Sequence, residues 1–209
     1  MTAQKAKEQV LQVTKRCYDE KLMAGTSGNV SVLADGGLLV ITPGSVDYSG
    51  MTADDIIVLD LHGKVIDGIH GPSSEWRMHA EIYKSFPHVK AVVHTHSPYA
   101  TSFSVLGEAV PVILNEMIPF IGGDLPVSAF ACPGTAEVGM NAVESLKGRC
   151  ACLMQNHGVL AVGKDLQKAY FNAIYAEDAA KIYHMAKSIG TPMVLTDEQQ
   201  EQIRAVIAG

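Results

Sequence analysis

The segment Ala91-Val92-Val93-His94-Thr95-His96-Ser97-Pro98 runs from apolar residues into a pair of histidines and then a turn. A short apolar run closed by Ser-Pro reads as a strand. Successive strand residues alternate faces, so His94 and His96 project from one face. A second apolar run, Ala151 to Met154, leads into Gln155-Asn156-His157-Gly158 and then Val159 to Val162. Two imidazoles on one face, with a third supplied by the fold, make a three-nitrogen site with one open position. Catalytic zinc uses that arrangement. Chance alone gives His-x-His pairs in a chain with eight histidines among 209 residues. Position separates this pair from chance, because unpaired imidazoles buried at the end of an apolar strand are costly. His62, His70, His88 and His184 lie among polar residues and read as surface histidines.

On either side of this strand the chain alternates short apolar runs with helical periodicity. Ala6, Val10, Val13 and Cys17 form one stripe of a helix over residues 4–22. Strands are expected at Asn29 to Leu33, Leu38 to Ile41 and Ile56 to Leu59, separated by turns at Asp35-Gly36-Gly37 and His62-Gly63. A helix is expected from Ser74 to Phe86, with Trp76, His79, Ala80 and Tyr83 on one face. Further helices follow at Tyr99 to Leu106, Thr135 to Lys147, Leu166 to Ile189 and Thr196 to Ala208. Ala169, Ala173, Ala176 and Ala180 give the long one a small-residue face, and Thr196 is a cap for the last. Strands flanked by helices point to an α/β layered domain.

Composition narrows the function. Apolar residues make up 47% and charged residues 18%, a globular balance. A formal charge of −6 argues against nucleic acid and an anionic membrane surface as partners. No run approaches the ~18 apolar residues of a membrane span. The N-terminal stretch Met1-Thr2-Ala3-Gln4-Lys5 carries no apolar signal segment. Cys17, Cys132, Cys150 and Cys152 form no Cys-x-x-Cys pair, so the expectation is a reduced, cytoplasmic protein.

Three loops carry polar chemistry. Gly25-Thr26-Ser27-Gly28-Asn29-Val30-Ser31 allows close backbone approach to a ligand, or is a plain turn before a strand. Ile41-Thr42-Pro43-Gly44-Ser45 ends a strand in a hydroxyl-rich loop. Ser73 and Ser74 stand where a helix should begin, either as caps or as a phosphate seat. Glu75, in the first turn, complements the helix dipole, reaches a metal or acts as a general base. His-Glu-x-x-His and His-x-His-x-Asp-His are both missing, which disfavours a zinc protease or binuclear hydrolase.

The order Gly28-Asn29, Thr42-Pro43, Ser73-Ser74-Glu75-Trp76-Arg77, Val93-His94-Thr95-His96 and Gln155-Asn156-His157-Gly158 resembles the class II, zinc-dependent sugar-phosphate aldolases. Within that family the motifs look most like those of L-fuculose-1-phosphate aldolases. The resemblance implies a single domain over residues 1–209, a central mixed, mainly antiparallel sheet flanked by helices. It shares this fold with the adducin head. It implies one zinc per subunit, held by His94, His96 and His157, with Glu75 as a further ligand and proton-transfer group. It implies a phosphate pocket at Gly28, Asn29, Gly44, Ser45, Ser73 and Ser74, and a homotetramer with active sites at subunit interfaces. The implied reaction splits a ketose 1-phosphate into dihydroxyacetone phosphate and a small aldehyde through a zinc-stabilised enediolate. Glutamate rather than aspartate after the serines favours an aldolase over an epimerase.

The chain departs from the family pattern at three places. The loop reads Thr42-Pro43-Gly44-Ser45 where the family tends to have Thr-Gly after the proline. The active-site tyrosine lent by a neighbouring subunit falls on Glu116, which reads as an acid for the aldehyde oxygen or as a surface or interface carboxylate. The C-terminal tail tyrosine has no counterpart, the last tyrosine being Tyr183. These departures bear on the aldehyde side, leaving L-fuculose 1-phosphate, a deoxypentulose 1-phosphate and methylthioribulose 1-phosphate as candidates. Other members of the superfamily are dehydratases, epimerases, decarboxylases and the non-catalytic adducin head. The last would be expected to lose the metal ligands.

Overall fold

The computed structural model describes residues 1–209. Helix α1 (Ala3–Asp19) buries Ala6, Val10, Val13 and Cys17, the expected stripe. It ends at Asp19 rather than at residue 22. Lys21 takes φ 63° and the Leu22 N–H closes on the Cys17 carbonyl at 2.9 Å. That closure turns Leu22 and Met23 inward, where both are buried.

Strands β1 (Asn29–Ala34) and β2 (Leu38–Ile41) pair across the Asp35-Gly36-Gly37 turn, with Gly36 and Gly37 at φ 75° and 72°. β3 (Ile57–Leu59) starts one residue later than expected, because Ile56 closes a short helical turn at Ala53–Asp55. β4 (Val65–Asp67) was not expected: it is three exposed residues with no buried face to leave a pattern. Helix α2 (Trp76–Ser85) begins after Glu75, because Ser73 and Ser74 form a turn rather than helix. β5 (Ala91–Thr95) carries His94, and α3 (Pro98–Leu106) starts on Pro98 and ends on Gly107 at φ 64°.

Helix α4 (Met117–Ile121) and strand β6 (Val127–Ser128) also escape sequence reading, being short and, in α4, holding Pro119. Pro119 is tolerated in the first turn, where its missing N–H would have no helical partner. The remaining elements are α5 (Ala136–Ser145), β7 (Ala151–Met154), β8 (Gly158–Gly163), α6 (Leu166–Ile189) and α7 (Asp197–Ala208). Thr196 caps α7 through its side chain, as the sequence implied.

All eight strands join one sheet, ordered β4-β3-β2-β1-β5-β8-β7-β6. Every pairing is antiparallel except β6 with β7. The sheet is therefore mixed and mainly antiparallel, as expected. Alternation of side chains divides the core in two. Val30, Val32, Ala91 and Val93 face the layer that holds α1, α3 and α6, where Ala169, Ala173, Ala176 and Ala180 are fully buried. Leu39, Ile41 and Val92 face α2 and α5. His94 shares parity with Val92, so strand geometry aims it at the α2 side.

Candidate active site

Three adjacent strands deliver the site to one end of the sheet. Asn29 is the cross-strand partner of His94, and His94 is in turn the partner of Leu160 on β8. His157 stands in the turn joining β7 to β8, beside the Met154–Gly158 pair. Glu75 enters from the turn that opens α2, where its N–H is bonded to the Ser73 hydroxyl at 3.3 Å.

Ligand atoms of His94, His96 and His157 all lie within 4.8 Å of one another. His94 Nδ1 is 2.8 Å from the Val159 carbonyl oxygen. A carbonyl only accepts, so Nδ1 carries the proton and Nε2 presents a lone pair to the centre. That Nε2 lies 3.0 Å from His96 Nε2 and 3.2 Å from Glu75 Oε2. His157 Nε2 is 3.0 Å from Glu75 Oε1. Glu75 Oε1 is buried yet receives no hydrogen bond. Converging lone pairs beside an orphaned carboxylate oxygen need positive charge, and a divalent cation fits them.

Electrostatics agree. Burial would raise the Glu75 carboxyl, but positive charge at the positions of His94 and His157 outweighs it and holds it well below the usual carboxylate range, so the ionised carboxylate depends on cationic charge at this centre. Burial, with His94 and His157 alongside, lowers His96 to about 4 against the pull of Glu75. At neutral pH His96 is thus the neutral imidazole that a metal binds.

Above the histidines opens a cleft of about 610 Å³ with no hydrophobic residue in its wall. Thr26, Ser27, Gly28, Asn29, Gly44, Ser45, Ser73, Ser74 and Glu75 line it with His96 and His157. Gly28 is required: at φ +89° an added Cβ would sit 2.8 Å from the His94 carbonyl oxygen. Tyr48 donates its hydroxyl to the Gly28 carbonyl at 2.6 Å and pins this loop from below.

Every expected residue except Glu116 therefore meets in one place, with two differences of detail. The Gly44 N–H is bonded to the Gly71 carbonyl at 3.1 Å, so Gly44 shapes the wall without offering a free donor. Asn29 is only 3% exposed, and its Nδ2 donates to Glu75 Oε2 at 2.7 Å. Its amide is engaged with Glu75 on one side and His79 on the other. Glu116 is exposed at the start of α4, outside this cleft.

The family model of the class II aldolase and adducin N-terminal domain matches residues 8–184. The chain belongs to this family. Over 210 aligned residues this class II aldolase-family protein is 33% identical to the 5-deoxy-D-ribulose 1-phosphate aldolase of Bacillus thuringiensis serovar kurstaki, covering 100% of this chain and 98% of that protein. It is 38% identical over 183 residues to the 5-methylthioribulose-1-phosphate/5-deoxyribulose-1-phosphate aldolase of Rhodospirillum rubrum, covering 87% of this chain and 81% of that one. A solved L-fuculose 1-phosphate aldolase superposes with a TM-score of 0.92 at 36% identity, over 98% of this chain and 97% of the other.

Sequence reading placed Ser31 in the polar segment after α1 and His79 and Tyr83 on a helix face, but did not join the three behind the site. His79 and Ser31 are fully buried and Tyr83 nearly so, and all three lie in a polar seam between β1 and α2. The signal was present as Asn29 and Ser31, two polar residues alternating within an apolar strand.

Proposed function

We propose that residues 1–209 form one class II aldolase-like domain, a cytoplasmic zinc enzyme that cleaves a ketose 1-phosphate into dihydroxyacetone phosphate and a small aldehyde. The observation that carries this reading is the convergence of three imidazoles and one buried carboxylate at the floor of an uncharged, hydroxyl-lined cleft. His94, His96 and His157 would hold the zinc, with Glu75 beside them. A zinc ion there would supply the electron sink that the cleaved carbon–carbon bond requires.

This chain's own residues do the rest. The hydroxyls of Ser45, Ser73 and Ser74, with the Gly28 backbone and the start of α2, seat the phosphate without a cation. Binding the phosphate far from the breaking bond fixes the reacting end near Glu75. The C3–C4 bond breaks, the C4 hydroxyl loses its proton and becomes the aldehyde, and a proton is delivered to C3. Glu75, held ionised in the resting site, is the group placed to exchange protons at C3. Glu116 belongs to the surface of one chain, so a part in the reaction would require a neighbouring copy in a homotetramer to bring it into the cleft.

Relatives named for 5-deoxyribulose 1-phosphate, methylthioribulose 1-phosphate and L-fuculose phosphate keep all three ketose 1-phosphates as candidate substrates. The test is a cleavage screen of all three compounds, with and without a chelator. Zinc-dependent release of dihydroxyacetone phosphate is expected. Products that keep every carbon would replace the aldolase by an epimerase or dehydratase at the same site. Inertness toward every compound, with no zinc bound, would return the domain to the adducin-like alternative.

A further inference from the structure

We infer that Tyr83, Ser31 and His79 form a one-way hydrogen-bond relay that decides which end of the Asn29 amide meets Glu75, making His79 a positioning residue for that carboxylate. The inference rests on the role given to Glu75 above.

The relay is continuous. Tyr83 OH lies 2.7 Å from Ser31 Oγ, and Ser31 Oγ lies 2.6 Å from His79 Nδ1. His79 Nε2 contacts Asn29 Oδ1, and Asn29 Nδ2 reaches Glu75 Oε2 at 2.7 Å. His79 and Ser31 are 0% exposed, Asn29 3% and Tyr83 4%. Solvent is excluded, so each proton must be assigned within the relay itself.

The assignment has one solution. The Asn29 NH2 group faces Glu75 Oε2 and its Oδ1 faces His79 Nε2. Oδ1 only accepts, so His79 carries its proton on Nε2. Nδ1 is then the acceptor and the Ser31 hydroxyl must donate to it. Ser31 Oγ in turn takes the hydrogen of Tyr83. A charged imidazole would put a second proton on Nδ1 and force the Ser31 hydroxyl to turn away. Burial, reinforced by His94, lowers His79 to about 3 and keeps it neutral.

A buried histidine that is merely satisfied would leave the site indifferent to its tautomer. Here the tautomer propagates. If Nδ1 carried the proton, Nε2 would face Oδ1 lone pair to lone pair. The Asn29 amide would then turn over and set its oxygen against the Glu75 carboxylate. Repulsion would displace the group that handles the proton at C3.

The test compares His79→Phe, His79→Gln and Ser31→Ala with the wild-type protein, zinc-loaded. Nitrogen-15 NMR of the histidine rings is expected to show His79 neutral with its proton on Nε2, and Ser31→Ala is expected to populate the other tautomer. His79→Phe is expected to lower kcat for dihydroxyacetone phosphate release on the order of 10- to 100-fold, the usual cost of losing an outer partner of a metal site. KM and bound zinc should stay within about twofold of wild type, because Ser45, Ser73, Ser74 and the histidine ligands are not bonded to His79. His79→Gln keeps a donor toward Asn29 and is expected to recover most of kcat. A proton on Nδ1 in the wild-type protein overturns the relay, as does a His79→Phe protein that loses stability but not kcat. Should His79→Phe fail to fold, Ser31→Ala with an unchanged tautomer and unchanged kcat overturns it equally. A wild-type protein that cleaves no ketose phosphate defeats the aldolase reading instead, while the tautomer measurement still decides the relay.

Discussion

Gly158→Ala tests the site geometry most sharply. An added Cβ would lie 2.4 Å from the Thr95 carbonyl oxygen, 3.1 Å from His96 Cδ2 and 3.2 Å from His94 Cε1. Ordinary carbon contacts lie at about 3.5–4.0 Å, so all three neighbours must move. The carbonyl belongs to β5 backbone and cannot swing aside. Overpacking of this kind costs about 1–3 kcal/mol, or a fall of roughly 2–12 °C in Tm for a chain of this length. Both imidazole carbons adjoin the metal-facing nitrogens, and turning His94 also strains its bond to the Val159 carbonyl. Zinc affinity should fall at least about tenfold, as it does when ring orientation is lost. Gly163→Ala is the control: its Cβ would meet Ala169 N at 2.5 Å, at the far end of the same strand. It should lose stability and keep zinc. Differential scanning calorimetry gives the first quantity and competition with a coloured chelator the second. Equal zinc affinities for the two variants would refute the claim that Gly158 exists to admit the imidazoles.

Glu75→Gln should retain zinc and lose about 10²- to 10⁴-fold in kcat, measured by release of dihydroxyacetone phosphate. Tyr48→Phe removes the hydroxyl that holds the Gly28 carbonyl and should lower Tm by about 1–6 °C, from roughly 0.5–1.5 kcal/mol. Zinc at a hundred times its Kd should raise the Tm of metal-free protein by about 5–11 °C, from about 2.7 kcal/mol of linkage, and His157→Ala should remove the rise. For pH the sign follows from His79, whose folded value of about 3 lies below the unfolded histidine value of about 6.5. The unfolded chain takes up this proton first, so the stability is whole above that unfolded value and is lost as pH falls toward the folded one. Urea melts of metal-free protein should show His79 contributing up to ~1.4 kcal/mol per pH unit in that window, and His79→Phe should flatten the slope.

The sequence was legible wherever periodicity was long or strongly apolar. The α1 stripe, the alanine face of α6 and the strand carrying His94 all leave such a pattern, and the sheet is the one expected. Shorter elements stayed hidden for physical reasons. β4 buries nothing, β6 has two residues, and α4 is a single turn containing proline. The polar seam stayed hidden for another reason. His79 lies on the buried stripe of an amphipathic helix, where pattern counts it only as facing inward. Its partner Ser31 comes from a strand 48 positions away. Nothing in local spacing links them until β1 and α2 are packed together.

That packing depends on register. Along β1, Val30 and Val32 face the α1 and α6 layer, so Asn29 and Ser31 must face α2. The pairing of Asn29 with His94 then sets the amide beside the imidazole that Glu75 touches. A slip of one residue between β1 and β5 would expose the two valines to the α2 side and bury both polar residues against aliphatic core. Each carries an amide or hydroxyl whose unpaired burial costs about 1–3 kcal/mol, and two valines would leave their layer at once. The same alternation that builds the core therefore opposes the one-residue slips that would part Glu75 from its amide partner.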